Sequence, residues 1–405
     1  MKEPKIRFKG FKGEWVETPL LDVVTLYNGL TYTPNDIRDH GTLVLRSSNV
    51  QEGEISLFDN VYVRSEVATS PNVKKGDIIV VVRNGSRTLI GKHAQIKSDM
   101  PNTVIGAFMA GIHTDEPEFL NALLCTRRFD NEVTINLGAT INQITNGTFH
   151  SMKFLFPDKK EQKALASYFQ HLDALIQSTT KKIESLKQVK AASLQSMFPQ
   201  EGETTPRVRF KGFEGEWSIC PLKYFAKKST EKNISMDYTI TLTNSAEYGV
   251  INQRDFFDHD ISNDDHINGY FVIHHDDFVY NPRVSTAAPV GPINRNLLGY
   301  SGVMSPLYLI FRVNGINKDF LSYYFKTTLW YNYMKLEGNT GARFDRLSIS
   351  DEQFFSMPIC VPRDEKEQTV IASYFTNLDR QITLHTQRLE KLKQIKAACL
   401  DNMFV

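Results

Sequence analysis

The chain has 405 residues and a net charge of +1 at pH 7, and 41% of its residues are hydrophobic. This length is typical of about two to three domains, and the hydrophobic content suffices for ordinary cores. No segment approaches the roughly 18 apolar residues of a membrane helix, and the charged N-terminus lacks the apolar run of a secretory signal, so we expect no membrane association. The four cysteines are scattered and form no CxxC pair: Cys125, Cys220, Cys360 and Cys399. They predict buried free thiols in a reducing cytosol, and hence a cytoplasmic location.

The first motif of the chain occurs twice. Residues 5–15 read KIRFKGFKGEW, and residues 207–217 read RVRFKGFEGEW. The two copies lie 202 residues apart, which far exceeds the roughly 20–50 residues of solenoid units. The sequence therefore predicts a duplicated domain pair that does one thing at two places.

Each motif opens a globule, which we place at residues 1–157 and 199–362. Both globules are predicted to be mixed α/β, because runs of β-branched and aromatic residues are bounded by turn sequences. We assign strands to Val44–Val50, Ile78–Arg83 and Leu307–Val313, and short helices to Phe119–Phe129 and Phe320–Met334. The globules match only weakly, although at an offset of 200 residues Arg83 falls on Arg283. A repeated framework with divergent globules indicates two related recognition modules with different targets.

Each globule is followed by a segment with the pattern of one long helix, at residues 158–198 and 363–405. Apolar residues recur at helical spacing, and neither segment contains Gly or Pro. At each start an aspartate and a glutamate three residues later, Asp158 with Glu161 and Asp364 with Glu367, fit a capping box. We assign helix packing to Leu165, Tyr168, Leu172, Leu186, Ile371, Tyr374, Leu378 and Leu392, with Val189 and Ile395 extending the stripes.

A helix of about 40 residues is about 60 Å long and cannot hide its apolar stripe on one small domain. Two such helices in one chain most simply pack on each other, which predicts an antiparallel, pseudo-two-fold coiled coil within the chain. The alternative is that each stripe binds another protein. The predicted fold is α+β, with two mixed α/β globules separated by two long antiparallel helices.

This order of globule, helix, globule and helix resembles the specificity subunit of Type I restriction-modification systems. The resemblance covers essentially the whole chain and is carried by the RFKGFxGEW motif together with the EQ-x3-AxYF-x2-LD pattern at 161–173 and 367–379. It implies that each globule is a target-recognition domain for one half of a split, asymmetric site in double-stranded DNA. It also implies a non-catalytic subunit of a host-defence assembly, which docks two adenine-N6 methyltransferase subunits and recruits ATP-dependent restriction subunits.

The chain contains no recognisable catalytic motif. An adenine methyltransferase needs an Asn/Asp-Pro-Pro-aromatic loop, and the nearest string, Asn281–Val284, lacks the second proline and the aromatic residue. No glycine-rich nucleotide loop occurs either, so we expect S-adenosylmethionine, ATP and Mg²⁺ on partner subunits and no cofactor on this chain. Pro157–Lys163 mimics a nuclease string, but helix capping explains its carboxylates. His274–Asp277 is interpreted as a solvated turn rather than a metal site.

Two segments in each globule carry the side chains that read base edges and hold phosphates. In the first globule we assign DNA contacts to Arg83, Asn84, Ser86, Arg87, Lys92, Asn142 and Gln143. In the second globule the assignments are Arg283, Ser285, Asn339, Arg343 and Arg346. For each segment the alternative is an exposed turn or polar loop without a ligand.

The charge balance gives no independent support for DNA binding. With a net charge of +1, either the chain binds no nucleic acid, or its cations are clustered, or a partner supplies phosphate contacts. The main alternative function is a coiled-coil scaffold whose two globules bind proteins. Trp15 and Trp217 belong to the repeated framework, which favours packing against helix ends over stacking on DNA. Helices of this length would hold the globule centres about 34–36 Å apart, one DNA turn, or somewhat more.

Overall fold

The computed structural model describes residues 2–137, 142–256, 264–339 and 345–405. The chain divides into two compact units, which we call unit 1 (residues 1–181 and 386–405) and unit 2 (residues 182–385). Each unit therefore contains one globule and a part of each long helix. Among the helices of the described residues, none combines the length and the apolar character that a membrane span requires.

The globule of unit 1 is a mixture of short strands and short helices. Its strands are β1 (Val16–Pro19), β2 (Thr25–Asn28), β3 (Ile37–Arg38), β4 (Thr42–Leu45), β5 (Val50–Gln51), β6 (Glu54–Ile55), β7 (Val61–Val63), β8 (Ile78–Val81), β9 (His93–Gln95), β10 (Thr103–Ile105), β11 (Met109–His113) and β12 (Lys153–Phe156). Its short helices are α1 (Pro117–Leu124), α2 (Arg127–Asn136) and α3 (Asn146–Ser151). The sheets have the strand orders β2-β11-β8-β9, β10-β4-β7-β3, β1-β12 and β5-β6.

Strand β8 lies inside its sheet and is buried on both faces. Ile78 and Val80 join one apolar cluster, whereas Ile79 and Val81 join another. This alternation follows from the two-residue period of a strand, and burial of both faces explains the unbroken apolar run in the sequence. The strand therefore provides a rigid support for the residues that follow it.

The globule of unit 2 follows the first long helix, α4 (Lys159–Ser196). Its strands are β13 (Ser218–Pro221), β14 (Ala226–Lys228), β15 (Leu242–Ser245), β16 (Gly249–Asn252), β17 (Phe271–Ile273), β18 (Phe278–Tyr280), β19 (Ile293–Arg295), β20 (Gly302–Met304), β21 (Leu309–Val313) and β22 (Pro358–Val361). Its short helices are α5 (Gln253–Phe256), α6 (Lys318–Tyr324), α7 (Tyr331–Glu337) and α8 (Asp351–Phe355), and the second long helix is α9 (Glu365–Met403). The sheet order β14-β21-β18-β19 repeats the order β2-β11-β8-β9 of unit 1, which confirms the duplicated mixed fold.

The predicted short elements are broken more often than the sequence suggests. The strand expected at Val44–Val50 ends at Leu45, because the Asn49 Oδ1 accepts a hydrogen bond from the Arg46 backbone N–H (2.9 Å) and turns the chain. The helix expected at Phe119–Phe129 is two helices, with Thr126 as the N-cap of the second. The helix expected at Phe320–Met334 is likewise divided into α6 and α7.

Both long helices begin where the sequence places them, and an aspartate caps each one. Asp158 Oδ1 accepts hydrogen bonds from the backbone N–H groups of Lys160 (2.8 Å) and Glu161 (2.9 Å). Asp364 Oδ1 accepts from the N–H of Lys366 (2.8 Å). These bonds satisfy donors that the first turn of a helix leaves unpaired.

The glutamate half of the predicted capping box is wrong in both helices. The two carboxylate oxygens of Glu161 accept from Arg7 Nε (2.8 Å) and Nη2 (2.7 Å), and this bond raises the pKa of Arg7. Glu367 pairs in the same way with Arg209, at 2.7 Å for both bonds. A buried carboxylate gains more from a bidentate guanidinium than from one backbone N–H. The repeated motif is thus clamped to the first turn of the helix that follows its own globule.

In unit 1 the beginning of α4 packs against the end of α9. Lys396 Nζ lies 2.6 Å from an Asp173 carboxylate oxygen, and Tyr168 Oη lies 3.3 Å from Cys399 Sγ. Contacts between an early position of one helix and a late position of the other require antiparallel pairing. The predicted packing residue Leu392 lies against the same apolar cluster as these turns.

Unit 2 contains the equivalent contacts with the helices exchanged. Lys190 Nζ lies 2.5 Å from an Asp379 oxygen, and Tyr374 Oη lies 2.9 Å from Ser193 Oγ. Each residue stands 206 positions from its counterpart in unit 1, as Asp173 does from Asp379. The antiparallel pairing of the helices predicted from the apolar stripes is therefore confirmed within each unit.

The apolar stripes do more than join the two helices, because several of their residues also complete the globule cores. Leu165 and Leu172 belong to the core cluster of unit 1, and Leu186, Ile371 and Leu378 belong to that of unit 2. The assignment of two further positions is wrong: Val189 is 43% exposed and Ile395 is 38% exposed. The two lie at equivalent positions, which the helices turn away from the packed face.

The two repeated tryptophans pack against helix ends, as predicted. Trp15 is 1% exposed and meets Phe404 edge-on, with 6.1 Å between ring centroids. Trp217 is 2% exposed and meets Phe198 at 6.0 Å. The four cysteines are free thiols as expected, but they are half-buried rather than buried.

Candidate nucleic-acid interface

The first candidate segment begins where the buried strand β8 ends. The backbone of Arg83 pairs with that of Gln143 in an antiparallel bridge, and the Asn84 N–H donates to the Asn142 carbonyl oxygen (3.4 Å). The structure thus brings the two predicted segments of unit 1 side by side, although they lie far apart in the sequence. Gln143 is half-buried at the edge of this bridge.

The side chain of Arg83 is exposed and rests on an aromatic ring. Its guanidinium carbon lies 5.1 Å from the ring centroid of Phe108, and the Phe108 carbonyl oxygen accepts from the Arg83 N–H (3.2 Å). This cation–π contact holds the charge at a defined place on the surface. Phe108 is not among the residues predicted from the sequence, and the signal that could reveal it is a large aromatic residue in a turn directly before a buried strand.

Two of the predicted asparagines shape the turn that carries Arg83. Asn84 Nδ2 donates to Ser47 Oγ (3.1 Å), while its Oδ1 accepts from the Ser86 N–H (3.0 Å). Asn142 Nδ2 donates to the Gly85 carbonyl oxygen (3.0 Å). These amides hold the backbone in place, so Arg83 and Gln143 are the stronger candidates for base contacts.

The other predicted residues of unit 1 surround the same turn. Ser86 Oγ lies 2.9 Å from Thr88 Oγ1, and the exposed Arg87 begins a short 3₁₀ helix. Lys92 is exposed, and its carbonyl oxygen accepts from the Val81 N–H (2.8 Å), which places it beside the end of β8. Arg83, Arg87 and Lys92 therefore concentrate positive charge at one end of the sheet. This arrangement supports the interpretation that the cations of the chain are clustered although its net charge is close to zero.

Unit 2 builds the same bridge with different side chains. The backbone of Arg283 pairs antiparallel with that of Arg346, flanked by a bond from the Val284 N–H to the Asp345 carbonyl oxygen (2.9 Å). Arg346 therefore occupies the position of Gln143. The offset between the repeats has changed from 200 residues at the first segment to 203 at the second, which the sequence comparison did not reveal.

Arg283 and Arg346 line an open cavity of about 440 Å³ in unit 2. Ser285 lies at its edge, where its Oγ accepts from the Ala288 N–H (3.1 Å) and closes a turn. Asn339 pairs with Ser348 through two backbone hydrogen bonds of 2.8 and 2.7 Å. Ser348 lies two residues after Arg346, so this pairing places Asn339 near the bridge. One predicted position, Arg343, lies outside the described residues.

The arginines of the two bridges differ from those of the framework. Arg7 and Arg209 are each paired with a buried glutamate. Within the described ranges, Arg83, Arg283 and Arg346 have no carboxylate partner. In the bridge of unit 2, Arg283 and Arg346 bring two like charges opposite each other, which is unfavourable. A phosphate or the acceptor edge of a guanine would relieve this repulsion. The site is thus suited to a polyanionic ligand with hydrogen-bond acceptors.

The two strings that imitate catalytic sites have structural explanations. Asp158 caps α4 and Glu161 binds Arg7, so neither carboxylate of the nuclease-like string is directed to a shared metal position. His274–Asp277 forms a turn in which the His274 N–H donates to Asp277 Oδ2 (2.9 Å). His274 Nε2 lies 3.0 Å from a Glu231 oxygen. Over the ranges described above, no three or more ligating side chains converge as a metal site would require.

Comparison with known families gives one match that covers most of the chain. The model of the Type I restriction modification DNA specificity domain matches residues 12–188 and 222–394. The StySPI specificity subunit of a Type I restriction enzyme from Salmonella potsdam is 26% identical over 184 residues, 43% of this chain and 40% of the relative. The EcoKI specificity subunit from Escherichia coli (strain K12) is 25% identical over 227 residues, 54% of this chain and 48% of the relative. The matched region thus spans less than half the length of these curated relatives.

Two solved structures share the fold over at least 96% of the chain. The S subunit of a Type I restriction-modification system from M. genitalium aligns with a TM-score of 0.61 and 13% identity, covering 100% of this chain and 99% of that one. A chain from a structural study of complex assembly and conformational transition in the type I R-M system aligns with a TM-score of 0.50 and 14% identity, covering 96% and 97%. At this level of identity the likeness concerns the fold alone.

Proposed function

Because the chain belongs to the Type I restriction modification DNA specificity domain family, we propose that it is the sequence-reading subunit of a Type I restriction-modification assembly. Each globule reads one half of a bipartite, asymmetric site in double-stranded DNA. The observation that carries this proposal is the repeated backbone bridge after β8 and β18. In both units it presents arginines that have no carboxylate partner in the part of the chain that the structure describes. A scaffold that only binds proteins has no need for such a pair of cationic sites.

The side chains at the two bridges suit different bases. Arginine forms bidentate hydrogen bonds with guanine O6 and N7, and glutamine forms them with adenine N6 and N7. Arg83 with Gln143 therefore offers one guanine and one adenine contact in unit 1. Arg283 with Arg346 offers two guanine contacts, or one guanine and one phosphate contact, in unit 2. Lys92 and Arg87 hold phosphates beside the first bridge.

The long helices set the gap between the half-sites and dock the methyltransferase subunits. With 38 and 39 residues, α4 and α9 are each about 57 Å long. The proposed division of labour assigns residues 1–157 and 199–362 to recognition, and residues 158–198 and 363–405 to spacing and docking. The pairing of α4 with α9 inside each unit supports this role.

The chain itself is non-catalytic in this proposal. Two methyltransferase subunits bring S-adenosylmethionine to the adenine, and restriction subunits bring ATP and Mg²⁺. This division is supported by the structural role of Asn281–Val284, the string nearest to a methyltransferase loop. It stabilises the bridge of unit 2, because Asn281 Oδ1 accepts a hydrogen bond from the Arg283 N–H (3.0 Å).

Co-expression with the cognate methyltransferase subunit, followed by a genome-wide map of N6-methyladenine, tests the proposal. We expect a two-part motif with a fixed gap. Inserting seven residues at the middle of both helices preserves the apolar stripe and lengthens the pair by about 10 Å, so the gap should grow by about three base pairs at 3.4 Å each. A gap that stays constant refutes the spacing role. A chain that supports no methylation and is not retained on DNA at low salt favours the protein scaffold instead.

A further inference from the structure

The two candidate interfaces share an exposed apolar side chain at the same position. Ile79 and Val279 are equivalent positions of the two units, at the offset of 200 residues. In the sheets Ile79 pairs with Gly111, and Val279 pairs with Ile310. Counting three residues back from Gly111 and from Ile310 gives Phe108 and Leu307. Phe108 is 53% exposed and Leu307 is 57% exposed. An apolar residue that stays exposed at one position of two divergent globules is not needed for either core.

Both apolar side chains lie among the cations of the proposed interface. The Phe108 carbonyl oxygen accepts from the N–H groups of Val82 (2.9 Å) and Arg83 (3.2 Å), and the Arg83 guanidinium covers part of the ring. Leu307 lines the same cavity as Arg283 and Arg346. In each unit the surface therefore combines an exposed apolar side chain with neighbouring cations.

This combination fits one chemical group of the major groove. Phosphates and base acceptors suit the cations, but the only apolar group that the base edges present there is the 5-methyl group of thymine. Resting on the proposed function, we propose that Phe108 and Leu307 each contact a thymine methyl group in the half-site read by their own unit. The cations beside them argue for DNA rather than a protein partner, because they complement its backbone charge.

Thymine and deoxyuridine differ by this methyl group alone, so they provide the test. The complex with its methyltransferase subunits is bound to duplexes of the mapped site, in which each thymine is replaced in turn by deoxyuridine. We expect one replacement in each half-site to weaken binding about four-fold, the effect of losing one buried methyl-sized group. In Phe108→Ala the replacement in the half-site of unit 1 should have no further effect, while that of unit 2 keeps its effect. Leu307→Ala should show the converse.

Two matched variants control for the loss of exposed apolar surface elsewhere. Val16 on β1 is 67% exposed, and Ile219 on β13 is 59% exposed. Neither belongs to the proposed interface, so Val16→Ala and Ile219→Ala should retain the full difference between thymine and deoxyuridine in both half-sites.

Two results would overturn the proposal. The first is wild-type binding that tolerates deoxyuridine at every thymine, a result that needs no variant to fold. The second is a Phe108→Ala complex that still distinguishes the two bases throughout the half-site of unit 1, as a wedge into the minor groove or a purely structural role would produce. In both cases a bipartite site is still bound, so the proposed function survives. Loss of all sequence preference in the wild-type complex refutes the proposed function itself.

Discussion

Replacing Arg7 with alanine should destabilise the chain far more than loss of an ordinary surface ion pair. The Glu161 side chain is 2% exposed and Arg7 is 15% exposed. Removing the guanidinium deletes both hydrogen bonds to a carboxylate that water cannot reach. Breaking a buried pair in this way costs about 3–5 kcal/mol. The equivalent change in unit 2, Arg209→Ala, should have an effect of the same size.

Urea unfolding followed by tryptophan fluorescence measures this loss, because Trp15 lies in the motif that Arg7 clamps. A double variant, Arg7→Ala with Glu161→Ala, should recover part of the stability, since no unpaired charge remains. Arg46→Ala is the matched control: Arg46 is 32% exposed and its partner Asp59 is 56% exposed, so the loss should stay within about 1 kcal/mol. An Arg7→Ala chain as stable as this control, at an unchanged denaturant slope, would refute the reasoning.

Two further predictions concern the helix caps and one thiol. Asp158→Ala should lower the free energy of unfolding in urea by about 1 kcal/mol, because two first-turn N–H groups lose their acceptor. Asp364→Ala should lower it by about as much. No measurable loss in either variant would contradict the capping role. Burial raises the pKa of Cys360 to about 11, so its reactive thiolate is scarce below that pH. At pH 9 its alkylation, followed by mass spectrometry, should be at least about ten-fold slower in the folded chain than in urea, and equal rates would contradict this burial.

The sequence predicted the long helices well because their signal is local. Helical spacing of apolar residues and a capping aspartate lie within one continuous segment, and the structure follows both. The partner of Glu161 could not be found by the same route, because Arg7 lies 154 positions away. The repeat did contain the information, since Arg7 and Glu161 recur together as Arg209 and Glu367.

The candidate interface was predicted less completely, because it is assembled from segments that only the sheet brings together. Residue types indicated Arg83 and Gln143 separately, but their pairing depends on where β8 ends. The change of offset from 200 to 203 residues concealed the equivalence of Gln143 and Arg346. Phe108 was missed because an aromatic residue in a turn before a buried strand is a weak signal until the guanidinium above it is seen.

The most direct test of the central claim compares the methylation motifs of two variants of the complete complex. Arg83→Ala should weaken or relax recognition in one half of the motif only, and Arg346→Ala should do so in the other half only, each by about 1–3 kcal/mol at the affected position. Lys12→Ala, which removes an exposed cation of the repeated motif, should leave both halves unchanged. Variants that alter the same half, or that leave the motif intact, would contradict the account of two units that each read one half-site.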